Sequence, residues 1–80
     1  MQLFLIEQNV NTGYDTYDSA VVRASSSDFA QYMHPAGGDI RDADKGWFTW
    51  ATDSKDVTVT LIGDCPIGET AVICASFNAG

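Results

Sequence analysis

The sequence predicts an α+β domain: a four- to five-stranded, mainly antiparallel sheet of two hairpins, with one short helix packed on a face. Strand-like alternation near both ends of the chain, with one helix-spaced stretch between, gives the order strand–strand–helix–strand–strand. Turn-rich segments fall inside each strand pair, Asn9–Gly13 in the first and Gly63–Gly68, with Pro66, in the second. Eighty residues with 45% hydrophobic content suit a single compact domain covering 1–80. A chain of this size buries only about 60% of its unfolded surface, so nearly every apolar side chain is needed for the core.

Leu3–Glu7 reads as the first strand, with Leu3 and Leu5 on one face and Phe4 and Ile6 on the other. Apolar residues on both faces suggest a central strand. A second strand lies within Tyr14–Ala24, placing Ala20, Val22 and Ala24 on one face and Asp15, Tyr17, Val21 and Arg23 on the other. The two pair antiparallel across a long loop. Ser25–Ser27 supplies a helix cap and Asp28 a first-turn charge, followed by Phe29, Ala30, Tyr32 and Met33 at helical spacing. Pro35 stops this helix after about two turns. Ala36–Gly46 is a loop by composition. The aromatic run Trp47–Trp50 reads as either an edge strand or a docked turn. Val57–Ile62 alternates as a strand, and Thr70–Phe77 is the last, the two forming the second hairpin. One short helix covers one side of such a sheet. The other side is covered by Trp47–Trp50 or by a second copy about a two-fold axis, and a homodimer is expected.

Catalytic patterns are missing. Ser25, Ser26 and Ser27 form no nucleophile elbow, and Gly37 and Gly38 lack the lysine of a phosphate loop. The single histidine, His34, reads as a surface or helix-capping residue. Cys65 and Cys74 lie nine apart, unlike a redox or zinc pair, and read as free thiols or, for Cys65, as a site of oxidation between copies. Asp42, Asp44 and Asp53 fall at positions one, three and twelve of a calcium loop, but Gly46 falls at five rather than six. No enzyme, cofactor or metal is expected. Met1–Ile6 is too short an apolar run for a signal peptide, and nothing is long enough for a membrane span, so the expected location is cytoplasmic.

Acidity is the remaining signal: 11 Asp and Glu face 4 Lys and Arg, for a net charge of −7. That balance excludes a basic nucleic-acid binder. Asp15, Asp18, Asp39, Asp42, Asp44, Asp53 and Asp56 lie in loops or at element ends. They either keep the domain soluble or imitate nucleic acid. Carboxylates two residues apart on an extended chain stand roughly 6.6 Å apart, comparable to successive phosphates. Asp39, Asp42 and Asp44, in a glycine-flanked loop, are the leading candidates for partner contact.

Three stretches carry a resemblance: Gly13–Ala24 (GYDTYDSAVVRA), Met33-His34-Pro35, and the closing Ala75-Ser76-Phe77-Asn78-Ala79-Gly80. They resemble small phage and prophage proteins. The short acidic chain with hairpins and a helix is similar to anti-CRISPR proteins, in particular type I-C inhibitors. The resemblance implies an acidic surface seated on a basic subunit of the CRISPR effector complex, where it blocks target DNA. If the chain is phage-encoded, its site of action is the host cytoplasm. The alternative is a structural or accessory phage module whose acidity serves solubility only.

Overall fold

The computed structural model describes residues 1–13, 15–41, 49–51, 53–64 and 70–78. Among these, four strands form one antiparallel sheet: β1 (Gln2–Glu7), β2 (Thr16–Ala24), β3 (Thr58–Asp64) and β4 (Ala71–Asn78), in the order β3-β1-β2-β4. A helix, α1 (Ser27–Gln31), and a 3-10 turn (Ser54–Asp56) lie between β2 and β3. No helix among the described residues is long and apolar enough to cross a membrane.

The β1–β2 pair is antiparallel as expected, with Phe4 opposite Val22 and Ile6 opposite Ala20. Those four side chains and Ala24 are buried on one face, where they pack with Ala30, Met33, Ile40, Trp50, Ala51 and Val57. Leu3, Leu5 and Val21, on the other face, are only half-buried.

Four expectations need correction. First, β3 and β4 do not form a second hairpin; they occupy opposite edges of the sheet. Turn-forming residues after Gly63 show that the chain reverses, not which edge receives it. Both edges of the β1–β2 hairpin were free, and the last two strands take one each. Asp64 lies beside Gln2 and Ala71 beside Arg23, so both strand ends are at the same end of the sheet. They are three strand spacings apart, roughly 14 Å, within the reach of a six-residue connection.

Second, Tyr17 is on the core side rather than with Val21. Against β4, Tyr17 pairs with Phe77 but Ser19 with Ser76, leaving Asp18 as the extra residue of a bulge. One inserted residue reverses the alternation, so Tyr17 turns inward and packs on the core.

Third, Trp50 belongs to no strand, and it packs in the same core as α1 rather than on the second face. It is a docked residue; Trp47 and Phe48 lie outside the described residues, as does Cys65.

Fourth, α1 is shorter than expected, at five residues. Ser26 is its cap, accepting the Phe29 N–H at 3.1 Å, an interaction worth about 1 kcal/mol. The helix stops before Pro35 because the chain after it folds back. The Ile40 N–H donates to the Tyr32 carbonyl at 2.8 Å, and Met33 bridges Asp39. That fold-back needs Gly37 at φ 102°; a Cβ there meets no atom within 4 Å, so the constraint is the left-handed backbone and not space.

Candidate acidic interface

The bulge at Asp18 and the end of β1 create a polar groove of about 380 Å³. Glu7, Asp18 and Asp56 line it, with Gln8, Asn9, Ser19 and Thr58 between them. Register explains the gathering: Glu7 ends β1 opposite Ser19 on β2 and opposite Thr58 on β3. Asp18 directly precedes the first of those partners and Asp56 lies two residues before the second, so three carboxylates from three segments line one end of the sheet. All three are exposed. Among the described residues none of them has an ion-pair partner, and the Asp18 carboxylate accepts the Ser19 hydroxyl at 3.2 Å. No cluster of three or more ligands close enough to hold a metal ion occurs among the described residues. Carboxylates spread around a groove suit extended cationic groups, lysine and arginine side chains above all.

Gln8 holds this corner together. Its side chain is almost fully buried and makes four hydrogen bonds. Nε2 donates to the carbonyls of Asn11 and Tyr17, both at 2.7 Å, while Oε1 accepts from the N–H of Val10 at 3.0 Å and of Asn11 at 2.8 Å. The Gln8 N–H also donates to the Asp18 carbonyl at 3.2 Å. The loop after β1 and the bulge are thus tied to one amide.

The other sequence candidates are placed elsewhere. Asp15 is exposed at φ 59°, a left-handed conformation that aspartate tolerates better than most residues. Asp53 caps the 3-10 turn by accepting the Lys55 N–H at 3.0 Å, and lies 3.5 Å from the Lys55 ammonium. Asp42 and Asp44 lie outside the described residues. Asp39 is engaged within the fold: Arg41 Nη2 sits 2.6 Å from Oδ2, the Arg41 N–H donates to Oδ1 at 2.8 Å, and the guanidinium stacks 4.0 Å from the Tyr32 ring centroid. Of the seven candidates, Asp18 and Asp56 share a site, and Glu7 joins them without having been singled out.

The Arg41 side-chain hydrogen bond holds the Asp39 carboxyl below its ordinary value, against a smaller opposing push from burial. A carboxylate depressed in the folded state stabilises above its unfolded pKa, and that stabilisation is lost as pH falls through the folded value. The pair is well exposed, so Asp39→Asn is expected to cost under about 1 kcal/mol at neutral pH. That cost should vanish at a pH below the folded pKa, where both variants carry a neutral side chain. Urea melts of the two proteins at neutral and strongly acidic pH check this.

His34 is also not where the sequence suggested. It is 1% exposed, and its Nδ1 accepts the Ala36 N–H at 2.9 Å. The ring proton therefore sits on Nε2, 3.1 Å from the Thr49 hydroxyl oxygen, and the ring meets Tyr17 edge-on at 5.9 Å. It is a buried strut joining the fold-back loop to β2 and to the segment around Trp50, not a surface cap.

Comparison with family models, with curated proteins and with solved structures finds no match for this chain.

Proposed function

We propose that this chain is a non-enzymatic inhibitor of the anti-CRISPR kind, whose acidic groove engages a basic surface of a type I CRISPR effector subunit and keeps target DNA from it. One observation carries the reading: Glu7, Asp18 and Asp56 line a single groove with no cation paired to any of them among the described residues. An effector channel that holds nucleic acid presents lysine and arginine, the groups such a groove attracts. The partner is a protein; the net charge of −7 repels nucleic acid itself.

A second reading is an accessory phage module whose acidity serves solubility. It is favoured by Asp39 and Asp53, whose carboxylates pair with Arg41 and Lys55 of the same chain. Salt separates the two. If the groove drives binding, inhibition of target-DNA binding by the effector should weaken steeply above about 0.15 M salt, where the Debye length is about 8 Å. Inhibition that is flat across that range removes the electrostatic reading. No inhibition at any salt leaves the solubility reading.

A further inference from the structure

We propose that two copies of this chain associate through the free edge of β3, pairing antiparallel about a two-fold axis at Leu61. β3 ends the strand order, so among the described residues no strand bonds its outer side. An edge in that state offers a row of unmet N–H and C=O groups to another strand. Leu61 and Ile62, adjacent on this strand, are 55% and 50% exposed, an unusual use of apolar residues in a domain this small.

Charge identifies the occupant. In a chain of net −7, a second copy approaches only where the surface is neutral, and Val57–Gly63 contains no charged residue. β4 is also an uncharged edge, but its exposed large aliphatic side chain among the described residues is Ile73 alone. Charge also selects the register. Centring on Thr60 sets Asp56 opposite the second copy's Asp64, a repulsive pair. Centring on Leu61 sets Asp64 opposite Thr58, Val59 opposite Gly63, and Leu61 opposite its own copy. The extra residue Ile62, where β3 slips against β1, keeps the new ladder short, so association depends on concentration. The outer sheet face is the weaker candidate, because Leu3, Leu5 and Val21 are already half-buried.

The interface rests on the strand edge and not on what the acidic groove binds, although Thr58 is common to both. Light scattering on the reduced protein, from low to high micromolar, should show the mass rising from 8.6 kDa toward twice that value. Amide exchange should slow with concentration in Thr58–Asp64 and not in Ala71–Asn78. Leu61→Lys, which sets two ammonium groups together at the axis, should hold the mass at 8.6 kDa with unchanged circular dichroism, while Ile73→Lys still associates. A mass of 8.6 kDa at every concentration overturns the proposal. So does association that survives Leu61→Lys, or protection that appears in β4 instead of β3.

Discussion

Trp50→Ala is expected to lower stability by about 3–5 kcal/mol, the range for removing a large buried aromatic side chain. Trp50 is fully buried, and it is the largest side chain in a core shared by α1 and the inner face of the sheet. The residue also ties distant segments: its carbonyl accepts from Asn11 Nδ2 at 3.3 Å, and the preceding Thr49 meets His34. A domain of this length has roughly 4–12 kcal/mol of total stability at typical values per residue, so the alanine variant stands near the unfolding threshold. Trp50→Phe should cost much less. Among the described residues the buried indole N–H has no hydrogen-bond partner, a defect of about 1–3 kcal/mol that phenylalanine removes while keeping most of the apolar area. Chemical denaturation of both variants checks the pair. Equal losses for alanine and phenylalanine would mean that the indole nitrogen is satisfied after all.

Gln8→Ala is expected to cost about 2–3 kcal/mol, because it strands several backbone groups at once. The carbonyls of Asn11 and Tyr17 lose their donor, and the N–H groups of Val10 and Asn11 lose their acceptor. Val10 is exposed, so water recovers part of the loss there. Tyr17 is packed on the core and recovers less. Gln8→Glu should be no better than alanine, since a carboxylate at Nε2 aims an acceptor at two carbonyl oxygens. Either change should also loosen the bulge and spread the acidic groove. Unfolding free energies from urea melts within about 0.5 kcal/mol of the parent, the usual range for surface changes, would show that the amide is not the organiser described above.

The first two strands were legible because their alternation has a period of two and one face must be apolar. The face taken by Tyr17 was not legible, since the bulge at Asp18 follows from pairing with β4 and leaves no local mark on the sequence. Pairing of β3 with β4 was misread for a related reason: turn chemistry locates reversals, while edge choice depends on which strands still have free edges. Burial of Trp50 was foreseeable from its chemistry, its side of the sheet was not. His34 was misplaced because a fold-back loop, rather than the helix end, provides its partners. Among the acidic residues, spacing pointed to the glycine-flanked loop, yet Asp39 is held by Arg41, two residues further on. Glu7 was passed over as the residue that ends a strand. In the first hairpin Glu7 lies beside Ser19, next to Asp18, so half of the groove follows from that pairing.

The proposed contact is that of the groove lined by Glu7, Asp18 and Asp56 with a basic effector surface. Target-DNA binding by a purified type I effector complex, titrated with this protein and with its Glu7→Gln, Asp18→Asn, Asp56→Asn triple variant, tests that contact. All three side chains are exposed, so the variant should fold like the parent. The parent should block DNA binding, and the variant should need at least about tenfold more protein to do so, equivalent to about 1.4 kcal/mol of lost affinity. Equal inhibition by parent and variant, or loss of inhibition on changing Asp39, Asp42 and Asp44 instead, would contradict it.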